Sequence, residues 1–369
     1  YRRDYFNLIL QDKKNLLGYS QESLEVFFKD IGEPPFRAKQ LLKWVHQKGE
    51  LDFEMMTDFN KDLRSRLKEI AVLKTPLVKN VLTSEEGTKK YLVELDSGSS
   101  IEMVRIPEKK RMTLCISSQA GCALQCTFCA TGAQGFDQNL TSDEIIGQVW
   151  LANFYDRNEA PITNVVFMGM GEPLLNFNPV MESVDIMRNQ IAYCLSRKRI
   201  TISTSGIVPQ INKLADMTDI SLAISLHAAE NELRDIIVPI NKKYPIKELL
   251  NSCKNYLSKQ TGKRNITIEY ILIDGINDSI KHAASLSKVL ANLSCKINLI
   301  PFNPFDGSDY KRSTDKNIYA FKNYLVNKGY ITTCRITRGD AIDGACGQLV
   351  GNLKKTIKGK SIIQHTSIH

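Results

Sequence analysis

From Arg111 onward the chain alternates short β-branched runs with helical patterns, and this alternation constrains its fold more than any other feature. The strand candidates are Thr113–Ser118, Thr163–Met168, Ile200–Thr204, Ser221–Leu226, Thr267–Ile273, Lys296–Pro301 and a last run, Ile331–Ile336. Apolar spacing predicts helices between them at 142–155, 178–194, 207–215, 246–258, 280–291 and 315–328. Strand and helix alternating at this spacing imply right-handed βαβ units and an α/β architecture whose parallel sheet closes partly into a barrel. Ligands of such folds gather at the carboxyl ends of the strands, so residues just past each strand carry the functional reading.

Residues 1–75 read as a small N-terminal helical unit. Helices are expected at 20–29, from Pro34-Pro35 through Val45, and at about 60–70 behind an Asn60 cap. After Pro76 the pattern turns to strands, at 77–82, 90–95 and 100–106, which makes 76–111 a β-rich connector. The barrel occupies 112–350 and a basic tail follows at 351–369. No apolar run approaches the ~20 residues of a membrane span, and Tyr1-Arg2-Arg3-Asp4 does not lead into a signal-peptide core. Nine cysteines, an odd number scattered along a long chain, do not form the pattern of a secreted disulfide framework. The expectation is a reduced, cytoplasmic protein without membrane attachment.

Three of those cysteines fall in eight residues: Gly121-Cys122-Ala-Leu-Gln-Cys126-Thr-Phe-Cys129-Ala-Thr-Gly132 follows the first barrel strand. Thiolates are soft ligands that suit iron–sulfur clusters or zinc. Three ligands on a 4Fe-4S cube leave the fourth iron open, which is what catalysis at a metal requires. A zinc knuckle with Cys115 as fourth ligand is the alternative, although a second cysteine pair is missing.

The loop resembles the radical S-adenosylmethionine (SAM) superfamily, and its surroundings narrow the resemblance. Cys115-Ile-Ser-Ser-Gln-Ala-Gly-Cys122, Cys129-Ala-Thr-Gly, Met168-Gly-Met-Gly-Glu-Pro-Leu, Ser203-Thr-Ser-Gly, Ser225-Leu-His227 and Asp343-Gly-Ala-Cys346-Gly-Gln-Leu occur in that order. Together they are similar to the RlmN-type adenosine methyltransferases, from the N-terminal helices to about Asn352. The fold so implied is a partial (βα)6 radical-SAM barrel with a small N-terminal helical domain and connecting β-strands. The activity implied is methylation of adenosine carbon 2 in 23S rRNA, at the peptidyl transferase centre, and in tRNA, 3′ of the anticodon.

The resemblance assigns residues. Cys122, Cys126 and Cys129 would hold one 4Fe-4S cluster, whose open iron would bind the amino and carboxylate groups of SAM. Phe128 would lie near the SAM adenine, and Gly171, Glu172, Ser203, Ser225, Leu226, His227 and Asn303 match the other SAM contacts. Each of these alone is ordinary turn chemistry or, for His227, a satisfied buried imidazole. Adenine carbon 2 is electron-poor and its hydrogen barely acidic, so simple displacement on the SAM methyl group is implausible. The implied route uses two SAM molecules per turnover. The first methylates Cys346; the second yields a 5′-deoxyadenosyl radical that takes hydrogen from the S-methyl group. The thiomethylene radical then adds to adenine. Cys115 resolves the protein–RNA adduct, leaving a transient Cys115–Cys346 disulfide, and Glu102 is the proton acceptor.

The residues themselves leave blander readings open. Cys346 lies in the glycine-containing stretch 339–347, which suits a mobile loop able to meet two partners; its bland reading is a small buried hydrophobe. Glu102 could be a solvated strand carboxylate, and Cys194, Cys253, Cys295 and Cys334 read as packing.

Lys and Arg outnumber Asp and Glu by 49 to 40. The excess concentrates in three places: Lys354, Lys355, Lys358 and Lys360 of the tail; Arg105, Lys109, Lys110 and Arg111; and Arg197-Lys198-Arg199. Such patches supply phosphate contacts without base specificity. The N-terminal unit, with Arg37, Lys39, Lys43 and Trp44, is nearly neutral and resembles the family's accessory RNA-binding domain. The expected partners are therefore 23S rRNA, tRNA and a low-potential electron donor such as flavodoxin or ferredoxin, acting with a monomeric enzyme. The nearest rivals are a carbon-8 methyltransferase conferring antibiotic resistance, which shares the cysteine framework, and a non-catalytic RNA-binding protein with a structural metal. Met170-Gly-Glu-Pro-Leu and Ala133-Gln-Gly-Phe136 resemble the carbon-2 branch.

Overall fold

The computed structural model describes residues 13–262, 264–335 and 342–351, together with two short strands at 354–357 and 360–363. Ile336, the stretch 337–341 and the lysine side chains of the tail lie outside the described residues.

The strands in chain order are β1 Lys14–Asn15, β2 Ala71–Val72, β3 Leu77–Thr83, β4 Lys89–Glu94, β5 Ser100–Glu108, β6 Arg111–Cys115, β7 Gln119–Gly121, β8 Phe136–Asn139, β9 Asn164–Phe167, β10 Ile200–Thr204, β11 Ser221–Ser225, β12 Ile266–Leu272, β13 Cys295–Pro301 and β14 Thr332–Cys334. The helices are α1 Gln21–Asp30, α2 Arg37–Leu42, α3 Lys61–Ile70, α4 Ala130–Gln134, α5 Ser142–Phe154, α6 Phe177–Arg188, α7 Val208–Met217, α8 Asn231–Ile237, α9 Ile246–Ser258, α10 Ile280–Val289 and α11 Asp315–Asn327. One ten-stranded sheet has the order β14-β13-β12-β11-β10-β9-β6-β5-β4-β3. From β6 through β9 to β14 every pairing is parallel, whereas β3, β4 and β5 extend the sheet antiparallel from β6. The expected partial barrel is therefore present, with the connector strands as its antiparallel wing.

Alternation along the strands sets the character of its two faces. Ile200 and Ile202, Leu222 and Ile224, Ile266 and Ile268, and Ile297 and Leu299 are buried in the main core, toward the helices. Their alternates, among them Thr201, Ser203, Ser221, Ser225, Thr267, Glu269, Lys296 and Asn298, line cavities inside the barrel. Parallel strands covered on both sides usually read as continuous apolar runs. Here the period-two pattern leaves a polar lumen.

The N-terminal unit packs on the same core. Its Leu24, Phe27, Phe28, Leu41, Leu42, Val45, Phe59, Leu63 and Leu67 form one cluster with the barrel residues. Ser20 and Asn60 cap α1 and α3 by accepting from the backbone N–H groups of Ser23 and Leu63. Polar bonds fix the unit on α5 and α6: Trp150 Nε1 donates to the Val45 carbonyl at 3.0 Å, and Glu182 accepts from Ser20 N at 2.8 Å and Ser23 Oγ at 2.6 Å.

Three local features differ from the sequence expectation. Helix α6 stops at Arg188 rather than near 194, because Asn189 turns away to ψ 130° and its Oδ1 accepts from Ile191 N. Helix α8 occupies a stretch to which the sequence pattern assigns no element. The hairpin β7–β8, also unexpected, pairs Gln119 with Asn139 and closes the base of the cysteine loop.

The turn after α6 places Tyr193 against buried His46, whose Nδ1 lies 3.1 Å from the Tyr193 hydroxyl. Burial lowers the His46 pKa from 6.5 to about 3. The folded value lies below the unfolded one, so the contribution of neutral His46 is complete above pH 6.5 and is lost as pH falls toward 3. His46→Gln is expected to spare about 2 kcal/mol of the stability that the wild type loses between roughly pH 6.5 and 4.5. Urea unfolding at the two pH values measures this; equal losses in both proteins would remove His46 as the cause.

Candidate active site

The cysteine loop opens directly after β7. Cys122 N donates to the Gly135 carbonyl at 2.8 Å, and Thr127 N to the Ile237 carbonyl at 3.2 Å, so the loop is held at its base and by α8. Helix α4 packs back on it so closely that a Cβ at Gly132 would stand 2.9 Å from the Cys126 carbonyl oxygen. Cys122, Cys126 and Cys129 line one cavity. Burial raises all three thiols, Cys122 to about 12. Such thiols ionise only beside a strong positive charge, and a metal cluster provides one.

Among the described residues, no three His, Cys, Asp or Glu side chains converge where a single metal ion could sit. A zinc site needs that convergence, whereas the ligands of a cuboidal cluster each meet a different iron. The donor set, three thiols around one cavity with free sulfurs throughout, therefore fits a 4Fe-4S group.

Phe128, Gly171, Glu172, Ser203, Ser225, His227 and Cys346 line the same cavity. Gly171 has φ +95°, and a Cβ there would lie 2.4 Å from Gln119 Cβ, so glycine is required by β7 as well as by anything bound. The buried Glu172 carboxylate accepts from Ser205 N at 2.8 Å and Leu174 N at 3.1 Å, and burial raises its pKa to about 7. The Thr204 side chain also bonds this carboxylate and, like the two backbone bonds, partly offsets its burial. His227 adopts φ +62° and accepts a bond from Ile271 N on Nδ1 at 3.0 Å. Burial lowers its pKa to about 3, so it is a neutral imidazole whose Nε2–H is the remaining donor. Its ring meets Phe128 edge-on at 4.6 Å.

Leu226 is a core side chain, and its carbonyl accepts from Arg234 Nε at 2.9 Å. Arg234 also donates to the carbonyls of Ser205 at 2.6 Å and Ser225 at 3.2 Å, so one buried guanidinium ties the carboxyl ends of β10 and β11 together. Asn303 lines a second cavity and donates to the Cys346 carbonyl at 3.1 Å.

Cys346 sits in a segment bonded from several sides. Ala130 N donates to the Gly347 carbonyl at 2.8 Å, and Thr131 Oγ1 to the Leu349 carbonyl at 2.7 Å. Gln348 bridges its own segment and the Pro304 carbonyl. Glu102 accepts from Val350 N at 2.9 Å and pairs with Lys90 at 3.1 Å. Glu102 is thus a buried, paired carboxylate and not a solvated one; burial, partly offset by Lys90, raises its pKa. The sulfur of Cys346 accepts from Arg335 Nη1 at 2.7 Å. Cys115 is buried on the first strand; burial first, and then nearby Cys346, push its thiol up to about 12.

Sequence reasoning missed Arg335, Glu269, Arg234 and Lys90. Glu269 offered a signal, a carboxylate inside the apolar run Thr267–Ile273; it accepts from Ser203 Oγ at 2.8 Å. Three residues of the basic clusters are already ion-paired, Arg105 with Glu159, Arg111 with Glu108 and Arg197 with Asp219.

Two regions match known families: residues 14–73 the ribosomal RNA large subunit methyltransferase N-terminal domain, and residues 116–286 the radical SAM superfamily. The dual-specificity RNA methyltransferase RlmN of Marinobacter nauticus is 52% identical over 347 residues, covering 93% of this chain and 94% of that protein. The RlmN of Saccharophagus degradans is 51% identical, covering 94% and 88%. A crystal structure of a radical SAM methyltransferase from Sphaerobacter thermophilus superposes with a TM-score of 0.86 at 37% identity, covering 91% of this chain and 99% of that one. With both family regions in order and half of its residues identical to these relatives over nearly the whole length, the chain belongs to the RlmN family of radical SAM RNA methyltransferases.

Proposed function

We propose that the chain methylates carbon 2 of adenosine in 23S rRNA and in tRNA, with the methyl group first carried on Cys346. The observation that supports this most directly is the setting of Cys346. It lines the cavity of the three loop cysteines, its sulfur is held by Arg335, and its segment is bonded to the loop itself. Cys122, Cys126 and Cys129 would hold the 4Fe-4S cluster, which supplies the electron that breaks a carbon–sulfur bond of SAM. Glu172, Ser203, Ser225, His227 and Phe128 would orient SAM, with neutral His227 donating from Nε2. Leu226 acts at one remove through its backbone carbonyl, and Asn303 through its side-chain bond to the Cys346 carbonyl.

In this reading Arg335 favours the nucleophilic thiolate of Cys346 and aims it. Cys115, kept protonated by burial, waits as the resolving thiol. Glu102 takes the proton from carbon 2. Its raised affinity for protons suits that role, and Lys90 keeps the buried charge compensated. Residues 1–75 serve as the RNA-binding accessory unit, 76–111 as connector, 112–350 as catalytic barrel and 351–369 as basic tail. The enzyme acts as a cytoplasmic monomer fed by a flavodoxin- or ferredoxin-like donor. No helix among the described residues is long and apolar enough to cross a membrane.

Anaerobic reconstitution with iron, sulfide, SAM, reductant and protein-free 23S rRNA is expected to give 2-methyladenosine, identified by mass and chromatographic mobility. An 8-methyladenosine product would reassign the chain to the carbon-8 branch, and a colourless zinc protein would overturn the reading.

Cys115→Ala is expected to accumulate a covalent protein–RNA adduct, and Cys346→Ala to lose turnover by more than about a hundredfold, as removal of a covalent carrier does. Gel analysis beside iron content tests both; turnover retained by Cys346→Ala would end the two-cysteine scheme.

Arg335→Ala is expected to slow S-methylation of Cys346 about tenfold, equivalent to one pKa unit in the thiol, with partial rescue by Arg335→Lys. Mass spectrometry of the protein incubated with SAM and no RNA reads this step. An unchanged rate would assign Arg335 to packing alone.

A further inference from the structure

Arg234 stands on α8 with 0% of its surface exposed, and among the described residues it forms no ion pair with a carboxylate. A buried charge without a counterion is strongly unfavourable. Every acceptor that bonds it is neutral: the carbonyls of Ser205 at 2.6 Å, Leu226 at 2.9 Å and Ser225 at 3.2 Å, and Asn241 Oδ1 at 2.9 Å. Asp235, the next residue in the chain, is half-buried and accepts from Asn241 Nδ2 at 2.6 Å. Burial lowers the Arg234 pKa from 12.5 to about 10, which leaves it a cation at neutral pH. These bonds satisfy its N–H groups but leave its charge without a full counterpart.

The counterpart lies on the cysteine loop. Ser205, whose carbonyl Arg234 holds, has its Oγ 4.0 Å from the sulfur of Cys126. Thr127 N donates to the Ile237 carbonyl at 3.2 Å, which fastens the loop to the helix that carries Arg234. Ala228, Ile237 and Val238 pack with Cys126 and Phe128 in a small apolar cluster. Among the groups that act on the Arg234 charge through space, Cys126 comes first. Charges are felt more strongly across such packing than across water. Three bound thiolates outweigh the positive charge of a 4Fe-4S cube, and an added electron deepens that imbalance.

We propose that Arg234 is the built-in countercharge of the cluster site, favouring the reduced cluster while its fork fixes the strand ends that meet SAM. This rests on the reading that Cys122, Cys126 and Cys129 hold a 4Fe-4S cluster. One electron arrives from a low-potential donor protein; the guanidinium loses no proton and forms no covalent bond. Cluster potentials respond to net charge and to bonding around the sulfurs. The fork aligns Ser205 with Ser225, and both line the first cavity. A lysine could supply the charge but not the same planar set of bonds.

The test uses the full, reconstituted chain. Redox titration followed by electron paramagnetic resonance reads the potential, and equilibrium dialysis against the oxidised protein reads SAM affinity. Arg234→Gln is expected to lower the ratio of reduced to oxidised cluster about tenfold at a fixed solution potential, a downward shift of about 59 mV for one electron. Arg234→Lys should keep that ratio within about twofold of the wild type yet bind SAM about tenfold more weakly, through lost hydrogen bonds. Should Arg234→Gln fail to retain iron, Arg234→Lys still decides, because a role confined to hydrogen bonding would shift its potential as well. Lys242→Gln, which removes an exposed charge close by in the chain, should change neither reading. A wild-type potential in Arg234→Gln, a shifted potential in Arg234→Lys or Lys242→Gln, or wild-type SAM affinity in Arg234→Lys would overturn the proposal. Iron and sulfide content of the wild type judge the underlying reading separately. A wild type without a 4Fe-4S cluster removes that reading, whereas an unshifted Arg234→Gln removes only the countercharge.

Discussion

Everything at the site depends on a junction between two loops far apart in sequence. Ala130 N–H reaches the Gly347 carbonyl at 2.8 Å, Thr131 Oγ1 reaches the Leu349 carbonyl, and Gln134 Nε2 reaches the Gly351 carbonyl, both at 2.7 Å. These bonds fasten Cys346 to the helix that begins one residue after Cys129. Buried amide and carbonyl groups left unpaired would each cost about 1–3 kcal/mol, so the two loops are held as one piece. Glycine is required at the contact. Gly347 has φ +87°, and a Cβ there would stand 3.3 Å from the Phe128 carbonyl oxygen.

The junction also explains how a polar lumen is tolerated. An Arg and a Glu inside a barrel are unfavourable unless each finds partners. Arg335 gains from the sulfur of Cys346 and from Glu269, and Glu269 accepts from Ser203 while its backbone carbonyl receives Leu226 N at 3.1 Å. The charges compensate one another across the wall that divides the two cavities. The sulfur of Cys346 is thereby held in the wall that lines both cavities.

Much of this was legible in the sequence, for definite reasons. Runs such as Ile200–Thr204 and Ile266–Leu272 show their strands by β-branching and period, and the three loop cysteines are adjacent in the chain, so spacing alone revealed them. The partners of Cys346 were not legible. Arg335 precedes it by eleven residues, Asn303 follows β13, and Glu102, on β5 across the sheet, bonds the same segment at Val350; only the curvature of the partial barrel brings them to one loop. Helix α6 was drawn too long because Asn189 ends it through a local side-chain bond that apolar periodicity does not register. Gln348, which the sequence did not single out, bonds Ala345 N and the Pro304 carbonyl through the two ends of its amide.

The same bonding reaches the N-terminal unit and gives it a mechanical part in the site. Helix α5 carries Trp150 on one side, bonded to the Val45 carbonyl, and Gln148 on another, which bonds both the N–H and the carbonyl of Ser117 at 2.8 and 2.9 Å. Ser117 Oγ in turn donates to the Glu102 carbonyl at 2.6 Å and accepts from Met170 N at 2.8 Å. A continuous set of short, buried bonds thus runs from the helical unit through α5 to the residues around Glu102. Because packed interiors transmit displacement and do not absorb it, the N-terminal unit is held at a fixed offset from the residues around Glu102. On the proposal that this nearly neutral unit binds RNA, its contribution would be position more than electrostatic attraction.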